Sequence, residues 1–136
     1  MAPNLPLPND RAAFNAALAE IHHDHTAMRD LAELAIRSGF PTDETLSLAE
    51  MVADHERAEA RLFALPFVTI PPESVTASAA RAHRHCMEYR TGNYHLPDRG
   101  AAAALFVDTL LAHLAAEDAW LAREDEHQKE RLKTHD

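Results

Sequence analysis

The sequence predicts an all-α fold, an up-down-up-down antiparallel four-helix bundle, and three observations carry that expectation. Three glycines in 136 residues, with alanine and leucine abundant and β-branched residues few, favour helix over sheet. Apolar residues recur at helical spacing in four segments, and prolines and glycines divide those segments. The intervening stretches are short, which makes neighbouring helices antiparallel. The length suits one domain, able to bury a core without disulfides or a structural metal.

The first helix is expected over residues 10–37, capped by Asn9 or Asp10 and stopped by Ser38-Gly39-Phe40-Pro41. The second covers 43–65, with Thr42 as N-cap, Asp43 and Glu44 in the first turn where carboxylates suit the dipole, and Pro66 just beyond its end. Residues 66–72 read as a loop. The third helix covers 73–91 and fades at Thr91-Gly92-Asn93. After a loop over 94–97, Asp98 caps a fourth helix over 98–125, and the charged tail 126–136 reads as a solvated or frayed helix end.

A formal net charge of −9 argues against a nucleic-acid binder and against docking on an anionic membrane. Cys86 is the sole cysteine and forms no internal disulfide, which suits a reducing compartment. The N-terminal residues have no signal-peptide character, and no apolar run is read as reaching membrane-spanning length, so the expected location is cytoplasmic.

Function is argued from the ten histidines. His55 and His113 each precede a glutamate, Glu59 and Glu117, by four residues, which stacks imidazole and carboxylate on one helix face. At about 100° per residue, His25 shares its face with Phe14, Leu18, Ile21, Met28, Ala32 and Ile36. His22 is a candidate neighbour and His23 points to solvent. His55 lies with Leu48, Met51, Val52, Ala58, Glu59 and Leu62, and Glu56 sits at that face's edge. His113 lies with Phe106, Leu110, Ala116, Glu117 and Trp120, and Asp118 points elsewhere. On the third helix His83 and His85 cannot both face inward; His83, beside Ala79, Ala80, Cys86 and Met87, is chosen over His85, whose face holds Ser78, Arg81 and Glu88.

A lone histidine on an apolar stripe is usually a hydrogen-bonded core residue. Four such stripes, two carrying an inward glutamate, are different, because a dry core holding that many unpaired polar groups is severely destabilised. Metal is therefore favoured over a structural polar core. Imidazole with carboxylate suits iron, with manganese or zinc as substitutes, and two metals bridged by carboxylates fit the donor count. The set differs from the ferritin-like pattern, which needs two inward Glu-x-x-His motifs.

Asp24-His25, the run His55-Glu56-Arg57-Ala58-Glu59-Ala60-Arg61-Leu62-Phe63, a histidine on the third helix and His113-Leu114-Ala115-Ala116-Glu117-Asp118 together resemble the hemerythrin-like, or HHE cation-binding, domains over essentially the whole chain. The resemblance implies a bundle around a non-haem di-iron centre, bridged by carboxylate or oxo groups, with His25, His55, Glu59, His83, His113 and Glu117 as ligands. Oxygen carriers of the family use His-x-x-x-x-Asp on the last helix, which substitutes Asp118 for Glu117. They also carry His-x-x-x-His on the third helix, which this chain lacks: Met87 follows His83 and Tyr89 follows His85 at that spacing. The second iron is then under-ligated, or completed by Glu56 or water.

The expected function is a hemerythrin-like protein that binds or responds to dioxygen, peroxide, nitric oxide or iron, with Met28, Met51, Phe106 and Trp120 lining the centre. Alternatives are a di-iron enzyme of peroxide breakdown or iron–sulfur cluster repair, an iron-dependent regulatory module, and a bundle with vestigial histidines. Cys86 and Tyr89 read as packing residues before redox partners. Leu105, Val107 and Leu111 lie outside the stripes and are candidates for a dimer face.

Overall fold

The computed structural model describes residues 8–133; the N-terminal residues 1–7 and residues 134–136 of the expected tail lie outside them. The described residues form four helices and no strand: α1 Pro8–Arg37, α2 Thr42–Phe63, α3 Glu73–Thr91 and α4 Arg99–Lys133. α1 packs on α2, α2 on α3, α3 on α4 and α4 on α1, consistent with a four-helix bundle.

Buried positions on α1 are Phe14, Leu18, Ile21, His25, Met28, Ala32 and Ala35, alternating steps of four and three. That is the 3.5-residue repeat of helices coiled around a common core. It explains why Ile36, expected on the inward stripe, is 47% exposed while Ala35 is buried: a straight-helix projection drifts from a 3.5-residue seam. α4 carries two seams, Phe106, Leu110, His113, Glu117, Trp120 and Glu124 on one, and Val107, Leu114, Leu121 and Gln128 at seven-residue spacing on the other. Val107 is thus core and not part of an outward face, while Leu105 and Leu111 are half-buried.

The helix ends follow backbone accounting. Phe40 N–H donates to Ala35 O at 2.7 Å and Gly39 N–H to Ile36 O at 3.3 Å, with Gly39 at φ 77, a left-handed close to α1 that glycine adopts without a Cβ clash. Phe40 also has positive φ, 58, and its ring packs against the core. Pro41, not Thr42, is the N-cap of α2, because its carbonyl accepts the first helical bond from Thr45 N–H at 3.0 Å and a second from the Thr45 hydroxyl at 2.8 Å. Asp98 caps α4 through Oδ1, which accepts from Ala101 N–H at 2.8 Å.

α4 continues well past residue 125. The carboxylate of buried Glu124 accepts from Thr69 N–H at 3.1 Å and from the Thr69 hydroxyl, and Gln128 Nε2 donates to Phe67 O at 3.2 Å and Glu124 Oε1 at 3.0 Å. The expected solvated or frayed end is helix as far as Lys133, exposed at Glu126, His127, Lys129 and Glu130, while buried Gln128 and Glu124 supply partners to backbone groups of the 66–72 loop. The stretch Arg99–Glu130 is also long and apolar enough to cross a membrane by length and composition alone, contrary to the sequence expectation. Its apolar side chains Ala102, Ala103, Phe106, Leu110 and Leu114 are packed against the other helices.

The core has two apolar layers. One gathers Met28, Leu48, Val52, Cys86, Tyr89, Phe106 and Leu110, the other Phe14, Ile21, Ala58, Leu62, Phe67, Val75, Trp120 and Leu121. Between them each helix contributes one polar level: His25 on α1, His55 and Glu59 on α2, Ser78 on α3, His113 and Glu117 on α4.

Candidate metal centre

Heptad position explains why these side chains meet. His25, His55 and His113 occupy inward seam positions and are 1%, 2% and 3% exposed; Glu117, one turn beyond His113, is 1% exposed. Glu59, one turn beyond His55, keeps 12% of its side chain exposed.

Each imidazole is fastened from behind. His25 Nδ1–H donates to Asp118 Oδ1 at 2.6 Å, and Asp118 also pairs with Arg29. His55 Nδ1–H donates to Asp24 Oδ2 at 3.2 Å. His113 Nδ1–H donates to Ser78 Oγ at 2.9 Å, and that hydroxyl donates to Val75 O at 2.9 Å. With Nδ1 holding the proton, a neutral ring turns the Nε2 lone pair inward, the arrangement that orients metal-binding histidines.

The three Nε2 atoms converge on two carboxylates. Glu117 Oε1 lies 2.9 Å from His25 Nε2 and 3.2 Å from His55 Nε2, and Glu117 Oε2 lies 3.3 Å from His113 Nε2. Glu59 Oε1 lies 3.6 Å from His55 Nε2, and Oε2 lies 3.6 Å from His113 Nε2. Both glutamates thus present one oxygen toward His55 and the other toward His113. Two groups that could hold a cation result, His25–His55–Glu117 and Glu59–His113–Glu117, sharing Glu117.

These separations fit an ion. Two ligands each ~2.1 Å from one metal stand ~3.0 Å apart at a right angle and ~3.4 Å apart at a tetrahedral angle. The observed 2.9–3.6 Å contacts span that range. Glu117 Oε2 is fully buried and accepts no hydrogen bond, a polar atom that a cation would satisfy.

The electrostatics are those of a strongly coupled cluster. Burial works to raise Glu117, but the imidazoles of His113, His25 and His55 packed around it hold its carboxyl far below the usual range. Burial, with Glu117 beside it, pushes Glu59 up to about 7. Burial opposes protonation of His113, yet Glu117 and Glu59 outweigh it and raise that ring to about 9; His55 is raised for the same reasons.

Five of the ten candidate ligands lie apart from this cluster. His83 is 56% exposed and its Nδ1 pairs with Glu56 at 2.7 Å; Glu56 is itself 43% exposed. The inward choice of His83 is corrected because the buried positions of α3 are Val75, Ser78, Ala82, Cys86 and Tyr89, and His83 stands about 100° past Ala82. His85 pairs with Glu88 at 2.7 Å, and His22 is exposed. Asp118 is placed behind His25 and Glu117 faces the cluster. Sequence reasoning missed Asp24 and Ser78 as supporting groups; the clue was Ser78 at three- and four-residue spacing between Val75 and Ala82.

The apolar residues expected around the centre divide between the two layers that flank it. Met28 and Phe106 belong to one apolar layer, Met51 packs against it, and Trp120 belongs to the other, its ring tilted against that of Phe63. The cavity that touches the cluster is bounded by Val52, Leu110, Ala79 and Ala82. Cys86 is a packed thiol raised by burial to about 11, with Sγ 3.7 Å from Ala49 O, and stays protonated. No family model matches the chain, and neither a curated protein nor a solved structure matches it.

Proposed function

We propose that this chain is a hemerythrin-like metalloprotein that holds two metal ions, iron by preference, and binds a small ligand such as dioxygen, peroxide or nitric oxide inside the bundle. The observation that carries the reading is the convergence of three back-fastened Nε2 atoms on the four oxygens of Glu59 and Glu117. The alternation of the layers supports the up-down-up-down topology. Along α1 and α3 the Phe14–Val75 layer precedes the polar level, and along α2 and α4 the Leu48–Phe106 layer does.

His25 and His55 with one oxygen from each glutamate would hold one ion, and His113 with the other two oxygens would hold its neighbour. Such a pair supplies electrons to a small oxidant and positive charge to stabilise the reduced ligand. The protein's own part is to orient the imidazoles through Asp118, Asp24 and Ser78, and to keep water out with the two apolar layers.

The test is metal stoichiometry and the near-ultraviolet and visible spectrum of protein purified anaerobically from iron-supplemented cells. Two irons per chain, with new absorption on adding oxygen, are expected. One zinc, or protein that takes up no metal on reconstitution, overturns the reading.

A further inference from the structure

The net charge of −9 is not spread evenly over the helices. α2 sets six carboxylates against two arginines, whereas α3, with three arginines and two glutamates, is the one described helix on which lysine and arginine outnumber aspartate and glutamate. The two helices stand side by side.

Their outer faces are also matched along the bundle. Cys86 Sγ lies 3.7 Å from Ala49 O, which sets α3 against α2, and His55 and Ser78 share the polar level. On the antiparallel course proposed above, residues can be counted from that level toward the Leu48–Phe106 layer at a rise of ~1.5 Å each. Ala53 and Ala80 then stand ~3 Å along, Glu50 ~7.5 Å, Arg84 ~9 Å, and Leu46 and Met87 both ~13.5 Å. Glu50, Ala80 and Arg84 are exposed, Met87 is 40% exposed, and Leu46 and Ala53 are half-buried. Among the described residues no carboxylate pairs with Arg84, whose polar neighbour is the His85 ring at 3.3 Å, and no basic group pairs with Glu50.

We propose that this α2–α3 face binds a second copy of the chain in a twofold dimer, with α2 of each copy lying antiparallel on α3 of the other. A half-turn about an axis parallel to the bundle keeps every level and exchanges the two helices. Ala53 of one copy then meets Ala80 of the other, Glu50 meets Arg84, and Leu46 meets Met87, each contact made twice. A chain of net charge −9 repels its own copies, but a face that carries one sign on each helix becomes attractive once the twofold sets each sign against its opposite. The paired alanines let the helices approach closely, and Met87 against Leu46 takes exposed apolar surface out of water.

Charge reversal tests the face, with sedimentation velocity on the full chain at about 0.1 mM as the readout and circular dichroism as the check on folding. Wild type is expected to be a dimer. Glu50→Arg and Arg84→Glu each set like charges against each other twice and are expected to weaken association about tenfold or more. An equimolar mixture of the two variants is expected to recover wild-type association, because a mixed dimer sets arginine against glutamate at both contacts. The double variant Glu50→Arg/Arg84→Glu is expected to dimerise with itself. A monomeric wild type at this concentration overturns the proposal. So does a dimer that survives both single reversals, since it uses another face, or a mixture that stays monomeric. Both positions are exposed, so the variants should fold; where one single variant fails to, the self-association of the double variant decides.

Discussion

The Nε2 atoms of His25 and His55 lie 3.1 Å apart, both buried, with each ring's Nδ1 bound to an aspartate. Two neutral imidazoles so fastened point lone pairs at each other and at Glu117 Oε1, an arrangement of acceptors without a donor. A proton or a metal ion between them turns that repulsion into attraction. Protonation of a ring or a bound cation would each resolve it.

Adding ferrous, manganous or zinc ion to the protein stripped of metal should raise its melting temperature. A ligand at one hundred times its dissociation constant stabilises the folded state by about 2.7 kcal/mol. Differential scanning fluorimetry on wild type, His55→Ala and Glu59→Ala checks this: the gain is expected in the first and largely lost in the other two. Equal gains in all three contradict the assigned ligands.

Glu117→Gln removes the carboxylate that both groups share. Metal content should fall from two ions per chain to one or none, read by elemental analysis. Breaking a buried charge pair by removing one partner costs on the order of 3–5 kcal/mol, so the variant should also melt earlier in chemical denaturant. Unchanged metal content contradicts the bridging role.

Asp118→Asn and Asp24→Asn leave every proposed ligand in place but loosen His25 or His55. Supporting groups of this kind are worth about 10–100-fold in metal affinity. Competition against a chromogenic chelator measures it. Affinities equal to wild type would mean that the rings are held by packing alone.

The metal-free protein should lose stability as pH rises. His113, raised from 6.5 to about 9, contributes stability that is fully present below pH 6.5 and lost as pH climbs through about 9. Glu59, raised from 4.5 to about 7 by burial, likewise favours the fold only while protonated, a contribution lost as pH passes about 7. Glu117, depressed by its histidines, acts oppositely and loses its contribution as pH falls below the ordinary 4.5. Metal displaces the same protons, so its affinity rises with pH. The melting-temperature gain on adding metal should therefore widen from about pH 6 to about pH 9. A gain that shrinks over this range contradicts the site.

Glu124→Ala should destabilise the protein without touching metal content. It removes the acceptor of the part-buried Thr69 N–H and one partner of buried Gln128, a loss of about 1–3 kcal/mol where a buried group is left unpaired. Denaturant melts and elemental analysis on one sample separate this role from that of Glu117.

Helix number, the breaks at Gly39, Pro66 and Gly92, and the burial of His25, His55, His113 and Glu117 were all readable from the sequence. Each depends on local spacing or on the conformational limits of proline and glycine, which a chain carries wherever it folds. His83 was misread for a related reason: α3 carries alanines on several faces, at 77, 79, 80 and 82, so the wheel had little to choose between Ala79, Ala82 and His83. The partner groups were not readable at all. That Asp118 would stand behind His25 and Ser78 behind His113, and that α4 past residue 125 would clasp the 66–72 loop, depends on the register between helices far apart in sequence. Sequence determined most of the side chains that face inward, His83 and Ile36 apart, because that is a property of one helix. Only the tertiary structure decided which of them come together in one cluster, because that depends on how four helices are set against one another to within an ångström.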